Sequence, residues 1–121
     1  MLSRRPNVLF EKTEAFATRI VKMTQYLKGK RVDSYLLNQV GRSGTSIGAN
    51  VSESRCAQSR ADFAHKLSIA LKEADETKFW LKQIKNAGAI NDTEFDSITS
   101  DLMEIIYLLN SIIKTTKENG L

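Results

Sequence analysis

Val40-Gly41-Arg42-Ser43-Gly44-Thr45-Ser46-Ile47-Gly48-Ala49-Asn50-Val51-Ser52-Glu53 admits two opposed readings, and the choice between them fixes the fold. Gly44-Thr45-Ser46-Ile47-Gly48 matches the Gly-x-Ser-x-Gly string of a serine-hydrolase nucleophile elbow. That elbow needs a strand running into a sharp turn and then a helix, so that the serine hydroxyl stands strained above a parallel sheet. No strand-like segment precedes Ser46. The single histidine, His65, follows Asp62 within a helical pattern, so the order Ser46, Asp62, His65 mimics a triad. Without a βαβ alternation there is no sheet to position it, and catalysis is not expected.

Placed on a helix, the same residues sort by angle. At 100° per residue Leu37, Val40, Gly44, Ile47 and Val51 share one face, and Gln39, Arg42, Ser46, Asn50 and Glu53 share the opposite one. One face packs and the other is polar. Gly41, Gly44 and Gly48 each cost about 1 kcal/mol against Ala in a helix interior, which points to close backbone approach at that face. The alternative is a loop over residues 41–46.

A chain of 121 residues makes one domain with a single core of modest size. Its 41% hydrophobic and 26% charged content, with Pro6 the only proline, describes a soluble, largely helical protein. No run approaches the ~18 to 20 apolar residues of a membrane span. Arg4 and Arg5 precede no apolar segment or cleavage site, so a cytoplasmic location is expected. Cys56 is the only cysteine and His65 the only histidine, so neither a disulfide within the chain nor a metal site is expected, and no cofactor is implied.

Four amphipathic segments follow. Phe16, Ile20, Met23 and Leu27 line a helix near residues 11–28, which Gly29 ends, and residues 1–8 read as a mobile arm. The second helix covers about 33–57. Ser59, with Asp62 as the acidic partner of a capping box, opens a third over about 60–86, striped by Phe63, Leu67, Ala70, Leu71, Ala74, Leu81 and Ile84 and closed by Gly88. Asn91 and Glu94 open the fourth, over about 92–118, with the strongest stripe: Phe95, Ile98, Leu102, Ile105, Ile106, Leu109, Ile112 and Ile113. Short links force antiparallel neighbours, so the expected fold is all-α, an up-down-up-down four-helix bundle.

Some large apolar residues fall off these stripes: Ile69, Phe79 and Trp80 on the third helix, Tyr107 and Leu108 on the fourth. A bundle has one interior, so outward apolar groups on several helices point to self-association. The net charge of +4, with a pI near 9.3, is compatible with nucleic acid. Its densest clusters are Lys28, Lys30 and Arg31, then Arg55 and Arg60, at predicted helix ends.

Residues 41–53, with Asp62-Phe63 and Lys66-Leu67-Ser68-Ile69-Ala70-Leu71-Lys72-Glu73-Ala74-Asp75-Glu76-Thr77-Lys78-Phe79-Trp80-Leu81, resemble the bacterial four-helix-bundle family named for proteins encoded in 23S ribosomal RNA intervening sequences. The likeness extends over nearly the whole chain. It implies a cytoplasmic homopentamer, a ring of five bundles, without catalytic residues or established activity. The accessory proteins of diversity-generating retroelements are more distantly similar, and through them the resemblance implies a basic assembly that holds RNA or DNA. The family's recurring polar positions fall on Arg42, Ser46, Asn50, Glu53, Glu73 and Glu76. Ser54 stands where many members have Gly or Ala, which leaves the packing of that helix end open.

Two functional classes remain: an oligomeric, non-enzymatic nucleic-acid binder, and a scaffold for a partner enzyme or helix with no nucleic-acid role. Aromatics do not interleave with the basic residues, and no helix-turn-helix or zinc module is present, so any nucleic-acid binding is expected to be non-specific.

Overall fold

The structure of the protein, a computed structural model, describes residues 5–119. Four helices follow one another: α1 (Arg5–Lys28), α2 (Ser34–Ser54), α3 (Arg60–Asn86) and α4 (Asp92–Glu118). Among the described residues there is no strand. The segment before Ser46 is helical, and so are residues 41–46, which rules out both the elbow and the loop.

The local chemistry of each helix end accounts for its position. α1 begins at Arg5 rather than near residue 11, so residues 5–8, expected as an arm, are helical; residues 1–4 lie outside the described residues. Pro6 explains the early start, because its fixed φ suits a first turn and its missing N–H is one that a helix start leaves unbonded. Leu9, only 1% exposed, carries the α1 stripe back by two turns.

Asp33 caps α2 by accepting from the Tyr35 amide at 2.8 Å. α2 stops at Ser54, short of residue 57, because the amides of Arg55, Cys56 and Ala57 bond back three residues instead of four, at 3.2, 3.0 and 3.2 Å. Ser54 is buried with its hydroxyl donating to the Val51 carbonyl at 2.6 Å, so this helix end is closely packed without a glycine or alanine.

Ser59 caps α3 by accepting from the Asp62 amide at 3.0 Å. The expected box is shifted, since the Asp62 carboxylate accepts from the Gln58 amide at 3.2 Å and not from that of Ser59. α3 ends in a Schellman motif: Gly88, at φ 81°, bonds Lys85, and Ala89 bonds Ile84. Asn91 and Glu94 complete the expected reciprocal box at 2.8 and 2.9 Å. Gly29 does not carry the left-handed turn between α1 and α2. Arg31 does, at φ 59°.

Side-chain pairs between helices give the topology. Along α2 and α3, Arg42 meets Glu73 and Glu76 while Glu53 meets Lys66; along α1 and α4, Lys12 meets Glu104 while Arg19 meets Asp101. In each pair one number rises as the other falls, so the helices are antiparallel. α1 also packs on α2 and α3 on α4, closing a square of neighbours. The core holds Phe16, Ile20 and Leu27, Val40, Ile47 and Val51, Leu67, Leu81 and Ile84, and Leu102, Ile105 and Leu109. At its α2–α3 wall the buried hydroxyls of Ser43 and Thr77 meet at 3.0 Å.

The α2 glycines set the α1–α2 distance to different degrees. A Cβ on Gly44 would lie 2.8 Å from Ile20 Cγ1, and one on Gly48 would lie 3.1 Å from the Thr13 carbonyl oxygen. At Gly41 the nearest atom, Thr24 Cγ2, is at an ordinary 3.8 Å. Two of the three expected close approaches are present.

Candidate self-association and nucleic-acid surfaces

The polar face of α2 lies along α3. Arg42 Nη1 donates to Glu73 Oε2 at 3.2 Å, and Arg42 Nη2 donates to Glu76 and to Gln39 Oε1. Glu76 also accepts from Trp80 Nε1 at 3.0 Å. Further along, Glu53 accepts from Lys66 Nζ at 3.5 Å. Ser46 and Asn50 bond within α2, the Ser46 hydroxyl to the Arg42 carbonyl at 2.6 Å and the Asn50 amide to the Ser46 carbonyl at 2.9 Å. Ser46 is thus a helical serine in local bonding, without a nucleophile's geometry.

Trp80 corrects the expectation that it faces outward. It is half-buried against the core, edge-on to Tyr35 at 5.7 Å and to Phe79 at 4.9 Å between ring centroids. The helical angle places its Cα off the stripe, but a two-ring side chain is long enough to lie back over the α2–α3 seam. Ile69 is also only partly exposed, and Leu108 packs against the core. The exposed apolar surface lies elsewhere. Phe79 (54% exposed) and Tyr35 crown the α2–α3 side. On the opposite, α1–α4 side Val8, Met103 and Tyr107 (72%) stand around a shallow groove of about 450 Å³.

The five basic candidates divide between the two ends of the bundle. Lys28, Lys30 and Arg31 surround the α1–α2 turn, Arg55 and Arg60 the α2–α3 turn, and α2 separates the two groups by about 30 Å. Lys30 Nζ lies 4.8 Å from the centre of the Tyr26 ring, and the Arg55 guanidinium 4.0 Å from that of Phe10. Among the described residues, none of the five cations joins an ion pair. Arg55 and Arg60 border a concavity of about 730 Å³ that Phe10 and Phe63 also line. Sequence reasoning missed both rings as site residues: Phe10 falls outside the expected first helix, and Phe63, which does pack against the core as its place on the α3 stripe implies, also borders the concavity.

A family profile described as 23S rRNA-intervening sequence protein matches residues 5–111. The chain belongs to that family. A crystal structure of a protein of unknown function from the S23 ribosomal protein family of Bacteroides thetaiotaomicron superposes with a TM-score of 0.88 at 46% sequence identity, over 91% of this chain and 98% of that one. No curated protein matches the chain. Arg42, Glu73 and Glu76 make one ion-pair cluster that ties α2 to α3 within a single copy.

Among the described residues no cluster of three or more His, Cys, Asp or Glu side chains could hold a metal ion, and Cys56 is an exposed free thiol in the α2–α3 turn. Among the described residues no helix is long and apolar enough to cross a membrane.

Proposed function

We propose that this family member is a non-enzymatic, self-associating bundle that holds RNA or DNA through phosphate contacts without reading sequence. The observation carrying this reading is the clustering of cations at two turns. Lys28, Lys30 and Arg31 gather at one end of the bundle and Arg55 and Arg60 at the other, and among the described residues none of the five joins an ion pair. Unpaired cations are free to replace the counterions condensed on a phosphate backbone. The basic surface also suits a cytoplasmic protein, where the lone exposed thiol of Cys56 stays reduced.

Self-association is supported by apolar groups on opposite sides of the bundle. A two-fold interface buries one patch against itself and leaves the other in water; head-to-tail contact of the α1–α4 side with the α2–α3 side of the next copy covers both, and it makes a ring when the rotation between successive copies closes. Five subunits follow from the family resemblance. Five copies at +4 each would carry about +20, strong enough to gather polyanions.

Multi-angle light scattering and salt-dependent binding test the two parts. A mass near five times 13.6 kDa is expected, with Phe79→Glu and Tyr107→Glu each lowering it while helicity persists. A 13.6 kDa species would refute association. Affinity for a mixed-sequence oligonucleotide should fall at least tenfold from about 50 to 200 mM salt. Absence of such binding would favour the partner-protein scaffold, and fluorophosphonate labelling lost in Ser46→Ala would overturn the non-enzymatic assignment.

A further inference from the structure

We infer that the concavity at the α2–α3 turn takes an unpaired nucleotide of a single-stranded nucleic acid, an inference that rests on the nucleic-acid reading above and assigns it to one end. Its volume of about 730 Å³ lies in the range of small-ligand sites. Arg55 and Arg60 stand at its border, and both are exposed. The Asp62 carboxylate accepts from the Gln58 amide and Glu53 pairs with Lys66, so neither is bonded to Arg55 or Arg60, and Glu14 stands in a neighbouring hollow that Phe10 and Arg55 also line. A phosphate therefore meets two cations that join no ion pair among the described residues. Arg55 lies over the Phe10 ring, which holds its guanidinium plane in place and leaves its edge to donate to phosphate oxygens.

The aromatic rings distinguish one strand from two. Phe63 lines the same concavity as the arginines, together with Phe10, whose ring Arg55 covers, and the amide side chains of Asn7 and Gln58. A base within a duplex has both faces stacked and cannot reach such a ring, whereas an unstacked base can, whatever its identity. The other basic end is built differently. Its hollow of about 510 Å³ holds Tyr26 with Lys22 and with Arg19, which is paired with Asp101, and Glu94 also lines it; Lys30 lies over Tyr26, but Lys28, Lys30 and Arg31 do not line that hollow.

The test is fluorescence anisotropy with a labelled oligouridine of about ten nucleotides and a duplex of equal length. Full-length wild type is compared with Arg55→Ala/Arg60→Ala, Phe63→Leu and Lys28→Ala/Lys30→Ala/Arg31→Ala, each checked for helicity. Phe63→Leu keeps an apolar side chain for packing and removes the stacking face. Arg60→Ala alone, at the exposed first position of α3, guards against loss of fold in the double variant. The single strand should bind more tightly than the duplex. Arg55→Ala/Arg60→Ala should weaken it more than tenfold and Phe63→Leu about tenfold, with the triple variant losing less than either. Equal binding of duplex, an unaffected Phe63→Leu, or equal losses in the two cationic variants would overturn this site while leaving the nucleic-acid reading intact. If wild type binds neither probe, both are refuted.

Discussion

Gly41, Gly44 and Gly48 offer the same substitution three times in one helix, with different expected outcomes. At Gly44 an added Cβ would stand 2.8, 3.0 and 3.2 Å from Ile20 Cγ1, Cγ2 and Cδ1, where carbons rest at about 3.5–4.0 Å. Ile20 cannot swing aside, because it is β-branched and 0% exposed. Overpacking of this kind costs about 1–3 kcal/mol, against about 1 kcal/mol gained in helix propensity, so Gly44→Ala should lose up to about 2 kcal/mol. At Gly41 the nearest atom lies at 3.8 Å, and Gly41→Ala should gain about 0.5–1 kcal/mol. Gly48→Ala should fall between them, since the carbonyl it meets at 3.1 Å belongs to the α1 backbone and yields only if the helix shifts.

Urea unfolding followed by circular dichroism, at one fixed protein concentration, measures these differences. Gly41→Ala and Gly44→Ala should differ by about 0.5–3 kcal/mol, or roughly 2–15 °C in melting temperature for a chain of this size. In an Ile20→Ala background the clash is gone, and Gly44→Ala should become stabilising by about 1 kcal/mol. Gly44→Ala proving as stable as Gly41→Ala in the native background would refute the close-packing argument.

Thr99→Val should stabilise the fold by about 1 kcal/mol in the same assay, because the buried Thr99 hydroxyl has no hydrogen-bond partner among the described residues. Arg31→Gly should be neutral to stabilising by about 1 kcal/mol despite the greater freedom of the unfolded chain, since it relieves a left-handed backbone at φ 59°; clear destabilisation would mean that the arginine side chain holds the turn. The Lys12 ammonium is raised above its ordinary pKa, chiefly by its hydrogen bond to Glu104 and then by that carboxylate's charge, with burial opposing and Asp101 adding to the rise. Its contribution to stability is therefore present at neutral pH and lost as the pH climbs through the folded-state value, and NMR titration should show Glu104→Gln lowering that value.

Features fixed by neighbouring residues were legible in the sequence. The Asn91–Glu94 box and the Ser59 cap depend on side chains reaching amides three residues away, and the α2 stripes depend only on helical angle. Contacts across the bundle were not. Arg42 reads as one of a polar row until α3 brings Glu73 and Glu76 beside it, and nothing local joins Arg55 to Phe10. Trp80 shows the limit of angle alone, because a long side chain can cover a seam its Cα does not face. The division of the cations was within reach: once α2 is one long helix, the turns before and after it must lie at opposite ends.

That division bears on how the two proposed activities coexist. The apolar groups available for association, Tyr35 and Phe79 on one side and Val8, Met103 and Tyr107 on the other, flank the long faces of the bundle. The two clusters of cations, Lys28, Lys30 and Arg31 and then Arg55 and Arg60, cap its ends. Side-by-side association consumes the faces and leaves the ends in water, so assembly and phosphate contact do not compete for the same atoms. In a ring whose axis runs along the helices, Arg55 and Arg60 of every copy would lie on one rim, and Lys28, Lys30 and Arg31 on the other. A single strand following the first rim could meet successive subunits, and the tethering of one contact by the next would strengthen weak individual sites through effective concentration. Variants that break the ring without touching an end cation, such as Phe79→Glu, should then weaken long single strands far more than oligonucleotides short enough to occupy one subunit. Equal weakening of both would mean that the ends act independently of assembly.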